Sequence, residues 1–203
     1  MNLPNILSFI RIIIALIAPF YLIGGTFTES IVVGVFCTIA IVTDYFDGWY
    51  ARKYNKITKL GKILDPIADK ALVLISFSVL AYLIDELSFW WIIPIFIREI
   101  LVTIYRFLFL SKNIVVAAAK SGKIKTVLQM LTIGIAYFFW MTRKYFLDKL
   151  NQNFGLESTE SFMYVFSVIM FIALALTLYY TVKSGYLFFK NNCQTIKRFH
   201  QLA

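Results

Sequence analysis

The chain has 203 residues, 60% of them apolar and only 15% charged, with a formal net charge of +9 and a mean hydropathy of +0.76. That balance excludes an ordinary soluble domain, in which about a quarter of residues are charged, and it reads as an integral membrane protein. Two separated cysteines, Cys37 and Cys193, and a single histidine, His200, point away from a disulfide framework or a zinc knuckle.

Apolar runs near the ~20 residues that span a bilayer as a helix occur at Ile6–Ile23, Ser30–Ala51, Ile63–Ile84, Ser88–Leu110, Ile124–Thr142 and Ser161–Val182. They predict an all-α, polytopic membrane protein with six transmembrane helices, forming one domain over residues 1–203. Asn2-Leu3-Pro4-Asn5 reads as a turn and cap leading into the first run. That run carries Arg11 in its body and lacks a small-residue cleavage site, so a retained helix is expected rather than a removed signal peptide. Gly24-Gly25 ends it, and the Asn, Gln, Gly and Ser of residues 151–161 make the longest exterior loop.

Lysine and arginine sort the connections, because positive residues stay on the cytoplasmic side. Arg52, Lys53, Lys56, Lys59 and Lys62 follow the second run; Lys112, Lys120, Lys123 and Lys125 follow the fourth; Lys183, Lys190, Lys197 and Arg198 lie in the tail. The other connections hold Glu29, Asp85 and Glu86, or offset their cations with Asp148, Glu157 and Glu160. Both termini are therefore expected in the cytoplasm. With no repeat, low-complexity tract or soluble appendage apparent, the chemistry is expected among the helices.

The stretch TDYFDGWYARKYNKITKLGKILDPIADK, residues 43–70, places four aspartates in this apolar chain. On a helix Asp44, Asp47, Gly48 and Ala51 share one face, and Gly61, Asp65 and Asp69 form a second stripe. An aspartate facing lipid costs roughly 2.5–3.5 kcal/mol on insertion scales, so four would cost on the order of 10 kcal/mol. An ion-pair cluster with Arg52, Lys53, Lys62 and Lys70 is one compensation. It leaves unexplained why the acids alternate with Gly48, Ala51 and Gly61, whose missing bulk makes room for something other than protein. Carboxylate oxygens alone suit hard divalent cations, and four aspartates match the charge of two Mg2+ or Mn2+ ions, a pair able to clamp a phosphate under attack. Pro66 predicts a kink or a helix start at that point.

Written as a pattern, Asp44-x2-Asp47-Gly48-x2-Ala51-Arg52-x8-Gly61-x3-Asp65-x3-Asp69 resembles the signature of the CDP-alcohol phosphatidyltransferases at all eight fixed positions. The resemblance implies a six-helix enzyme of the cytoplasmic membrane, a homodimer, with its active site open to the cytoplasm. It implies that Asp44, Asp47 and Asp65 bind two divalent ions, with Asp69 both a ligand and the base that takes the acceptor's proton. Gly48, Ala51 and Gly61 would make room for the cytidine nucleotide, with Arg52 supporting it. The implied partners are CDP-diacylglycerol, an acceptor alcohol and membrane lipid, with no nucleic acid.

The acceptor is read from other basic residues. Arg98 and Arg106 lie eight apart in the fourth run, and Lys120, Lys123 and Lys125 lead into the fifth. Guanidinium and ammonium groups hold phosphates, so these five are candidates for binding an acceptor that itself carries phosphate; Glu99 is either their partner or a structural bridge. NLPNILSFIRI at 2–12, DPIADK at 65–70, REI at 98–100 and GKIKTVLQ at 122–129 look like the phosphatidylglycerophosphate synthase branch, whose acceptor is sn-glycerol 3-phosphate. Ser8 stands where that branch is expected to have threonine, and residues 143–203 carry no resemblance. Serine, inositol phosphate or phosphatidylglycerol remain as other acceptors. An intramembrane prenyltransferase would place its aspartate pairs farther apart in a longer chain, and a divalent-cation transporter would not confine its acids to one side.

Overall fold

The computed structural model of the chain describes residues 3–24, 26–39, 61–111, 120–149 and 156–193. Six helices lie among them: α1 Leu3–Gly24, α2 Phe27–Ile39, α3 Gly61–Leu83, α4 Phe89–Ser111, α5 Lys120–Lys149 and α6 Leu156–Asn191. The all-α expectation holds, and each of the six apolar runs overlaps one of these helices. Two of them, over 121–146 and 161–191, are long and apolar enough to cross a membrane by themselves. The apolar stretches Phe9–Gly24, Phe27–Ile39 and Lys70–Leu83 are shorter, and α4, a continuous helix, carries the charged Arg98, Glu99 and Arg106 along its apolar length.

Local chemistry explains the helix starts. Thr26 and Glu29 form a capping box before α2: Thr26 N donates to Glu29 Oε2 at 2.6 Å, and Glu29 N donates to Thr26 Oγ1 at 3.3 Å. The Thr26 backbone N–H holds the Glu29 carboxyl below the usual carboxylate range. Ser88 caps α4, accepting from Trp90 N at 3.4 Å. α3 begins at Gly61, ahead of Pro66. The proline, expected to mark a kink or a helix start, thus lies inside a helix already formed before it and does not start it.

The chain divides into two compact units, residues 1–87 with 137–159, and residues 88–136 with 160–203. The division falls inside α5 and after the first turn of α6. In the first unit α1 packs on α3, burying Ala15 and Leu22 of the one and Ala68, Leu72 and Phe77 of the other. The C-terminal half of α5 meets α2 through Tyr137, whose hydroxyl donates to the Ser30 carbonyl. Lys144 Nζ donates to Ser30 Oγ at 3.3 Å and lies 4.9 Å from the centre of the Trp140 ring. Arg143 Nη1 reaches both carboxylate oxygens of Glu86, at 3.2 and 3.0 Å, tying the turn after α3 to α5.

The second unit is built from α4, the N-terminal half of α5 and α6. Val102, Phe109 and Phe188 form a buried cluster with Tyr105 and Phe189 against it, and the rings of Tyr105 and Phe189 meet edge to face at 5.4 Å. Thr132 Oγ1 on α5 lies 2.7 Å from Thr177 Oγ1 and 3.1 Å from the Ala173 carbonyl on α6. Such interhelical hydrogen bonds hold apolar helices together where lipid removes the hydrophobic drive for association.

Candidate functional site

α3 carries the second half of the aspartate pattern. Because it is helical from Gly61 onward, Gly61, Asp65 and Asp69 recur every four residues along one stripe of its first two and a half turns. Asp65 and Asp69 are described as helix backbone only, and Asp44, Asp47, Gly48, Ala51 and Arg52 lie outside the described residues. Arg11, which the sequence reading used only as a sign of a retained helix, is only 2% exposed on α1, the helix that packs on α3. Its burial is the signal of a cation kept on the neighbour of the aspartate-bearing helix. Composition could not have given it, since lone arginines also sit at helix ends.

The basic candidates separate into two kinds. Arg106 and Lys123 are exposed. Lys125 is two residues past Lys123, so on the helix it points about 200° away; it is 4% exposed, and its ammonium donates to Glu99 Oε1. The same oxygen accepts from Arg98 Nη1 at 3.1 Å and from Gln129 Nε2 at 3.2 Å. Glu99 is 2% exposed and Gln129 1%. Arg98 and Lys125, chosen separately as phosphate binders, are therefore brought together on one buried carboxylate, while Arg106 lies about 12 Å farther along α4. Lys120 opens α5 and is described as backbone only.

The surroundings of this cluster are polar on all three helices. Ser121, Lys125, Gln129 and Thr132 lie at steps of four, four and three on α5, one face of the helix. Thr177, Thr181 and Ser184 form a matching buried stripe on α6. The stem of Arg98 lies against α6 at Gly185, where a Cβ would come within 3.2 Å of Arg98 Cγ. Among the described residues the buried Arg98 Nε, Ser121 Oγ and Thr181 Oγ1 have no hydrogen-bond partner. Sequence reasoning weighed Glu99 as a partner of the basic residues or a bridge and gave Gln129 no role of its own; the available signal was the four-residue step from Lys125 to a second polar group in an apolar helix.

A groove of about 460 Å3 in the first unit, between α1 and α2, is lined by apolar side chains including Ile13, Ile17, Tyr21, Val32 and Phe36, with Glu29 at its edge. It offers no set of groups able to perform phosphoryl chemistry.

The profile of the CDP-alcohol phosphatidyltransferase family matches residues 1–182. The chain belongs to that family. This phosphatidyltransferase is 34% identical over 211 aligned positions, covering 97% of both chains, to a Bacillus subtilis (strain 168) protein named CDP-diacylglycerol--glycerol-3-phosphate 3-phosphatidyltransferase. Proteins of the same name from Salmonella choleraesuis (strain SC-B67) and Escherichia coli (strain K12) are each 35% identical over 147 positions, covering 68% of this chain and 77% of theirs. The family assignment carried by the aspartate pattern is thus borne out, and members of the family work with divalent cations. The donor chemistry of this phosphatidyltransferase fits such ions: its pattern offers carboxylate oxygens, and the helix through Gly61–Asp69 spaces two of its aspartates four residues apart along the backbone.

Proposed function

We propose that the chain transfers the phosphatidyl group of CDP-diacylglycerol to sn-glycerol 3-phosphate, giving phosphatidylglycerophosphate and CMP. The observation that carries this reading is its likeness to the Bacillus subtilis protein of that printed name over 97% of both chains. The joining of Arg98 to Lys125 on one carboxylate supports it, because it gathers a guanidinium and an ammonium, the groups that hold phosphates, in one place.

In this reading Asp44, Asp47, Asp65 and Asp69 hold two divalent ions, Mg2+ or Mn2+. When bound, these ions supply positive charge that offsets the diphosphate and the leaving phosphate. Gly48, Ala51 and Gly61 leave space for the cytidine nucleotide and Arg52 supports it. Asp69 takes the proton of the attacking acceptor hydroxyl. The hydroxyl oxygen forms its bond to the lipid-side phosphorus as the bond from that phosphorus to the oxygen of CMP breaks, and the electron pair leaves with CMP. Arg98, Arg106, Lys120, Lys123 and Lys125 hold and orient the acceptor's own phosphate. The setting is a single domain of six membrane spans in the cytoplasmic membrane, with termini and active site on the cytoplasmic side, among lipid and as a homodimer.

The test is CMP release by purified protein given CDP-diacylglycerol, Mg2+ and, in turn, glycerol 3-phosphate, serine, inositol phosphate and phosphatidylglycerol. Release is expected with glycerol 3-phosphate and its loss on chelation. Turnover with another acceptor and none with glycerol 3-phosphate would overturn the acceptor assignment.

A further inference from the structure

The most costly arrangement in the second unit is the carboxylate of Glu99 buried among two cations and an amide. Desolvating such a cluster costs several kcal/mol per ion, and replacing it by well-packed apolar residues is often neutral or stabilising. Stability is therefore a weak reason for its presence. Its geometry suggests a different use. Three donors, Arg98 Nη1, Lys125 Nζ and Gln129 Nε2, converge on Glu99 Oε1. The backbone of Glu99 is also engaged, accepting from Thr103 Oγ1 at 2.5 Å. Arg98 is gripped at one guanidinium nitrogen and along its stem at Gly185, while its Nε, also buried, has no partner among the described residues.

A guanidinium fixed at one corner and unsatisfied at another is pre-organised to donate elsewhere. Ser121 lies one turn before Lys125 on the same face of α5, and Thr181 lies one turn before Gly185 on α6. Both also bury hydroxyls without a partner among the described residues. Unsatisfied polar atoms on three helices thus flank the atoms that Glu99 holds, and each costs free energy until something bonds to it.

Resting on the acceptor reading above, we propose that Glu99 is a positioning residue for the transfer: its carboxylate fixes Lys125 and Arg98 so that the donors of Arg98 that it leaves over address the acceptor's phosphate. Glu99 itself, an anion, touches no substrate. Its loss releases two cations from a shared anchor. The acceptor then meets groups of the right charge in the wrong place, while the nucleotide lipid, held by the aspartate pattern, is unaffected.

The test measures KM for each substrate and kcat in the full-length protein with Glu99→Gln, and with the charge-balanced double variant Glu99→Leu/Lys125→Leu as a control for folding. In Glu99→Gln the KM for glycerol 3-phosphate is expected to rise about tenfold or more, with the KM for CDP-diacylglycerol changed less than about twofold. The double variant is expected to keep a thermal midpoint above that of Glu99→Gln, because it leaves Arg98 alone without its carboxylate rather than Arg98 and Lys125 together, and still to show the raised acceptor KM. Equal shifts for both substrates in Glu99→Gln, an unchanged acceptor KM, or full recovery of the acceptor KM in the double variant would overturn the inference. A wild type that releases CMP independently of glycerol 3-phosphate would instead overturn the acceptor reading, and the inference with it.

Discussion

Tyr137 lies across Gly34. The tyrosine hydroxyl donates to the carbonyl of Ser30, one turn before the glycine, and a Cβ placed on Gly34 would come within 2.6 Å of Tyr137 Oη and 2.8 Å of Tyr137 Cε1. Contact between α2 and α5 therefore depends on a missing side chain. Alanine at position 34 would gain about 1 kcal/mol in helix propensity but would collide with a ring held at its far end. Overpacking costs about 1–3 kcal/mol, so Gly34→Ala is expected to lower the thermal midpoint. In a Tyr137→Leu background the same change is expected to be neutral or stabilising. A midpoint that rises in both backgrounds would show that the contact does not constrain the helix pair.

Thr132 and Thr177 offer a second check on packing, since they join α5 to α6 through fully buried hydroxyls. Hydrogen bonds between membrane helices average about 0.6 kcal/mol and reach about 1.7 kcal/mol. A double-mutant cycle with Thr132→Val and Thr177→Val is expected to return a coupling in that range. Strict additivity of the two changes would mean the hydroxyls do not depend on each other.

Glu29 gives a pH dependence. Its carboxyl is held below its ordinary value by the Thr26 backbone N–H and then the Thr26 hydroxyl, so the folded state favours the ionised form. A group depressed on folding contributes stability that is present above the unfolded value, about 4.3 for glutamate, and is lost as pH falls through the folded value. The stability difference between wild type and Glu29→Ala should therefore be constant near neutrality and shrink below about pH 4. A difference that grows on acidification would contradict the capping geometry.

Asp69 is the proposed base. Asp69→Asn keeps the shape of the side chain and removes its ability to take a proton, so turnover should fall by about a hundredfold or more while CDP-diacylglycerol still binds. The measurement is CMP release beside equilibrium binding of the nucleotide lipid; near-normal turnover would assign the base elsewhere.

Arg106 and Lys123 are exposed, and their truncation should leave the fold intact. Losing a charge-assisted contact to the acceptor phosphate costs about 1.4 kcal/mol or more, which is tenfold in KM. Arg106→Ala and Lys123→Ala are expected to raise the KM for glycerol 3-phosphate by about that factor and to leave that for CDP-diacylglycerol nearly unchanged. Parallel increases would remove both residues from the acceptor site.

Helices α1 to α6 were readable as apolar runs because a continuous apolar segment of more than about ten residues is too long for a typical strand and reads as a helix. The aspartate pattern was readable for a related reason: carboxylates in such a chain are too costly to be incidental, and their fixed spacing identified the family. Local order did not mislead at Pro66 so much as run out, since a proline in the first turns of a helix and one that starts it look alike in sequence. The Thr26–Glu29 capping box was spelled in the sequence and passed over in favour of the charge of Glu29 alone.

Spacing along the chain determined which residues share a face: Gly61 with Asp65 and Asp69, and Lys125 with Gln129. Only tertiary structure decided which faces meet. Glu99 and Lys125 are 26 positions apart, and Glu99 and Gln129 30. No local periodicity chooses Lys125 rather than Lys123 as the buried partner. That choice follows from packing, because once α4, α5 and α6 close, just one side of α5 faces Glu99, and an ammonium there must find a carboxylate or give up its charge.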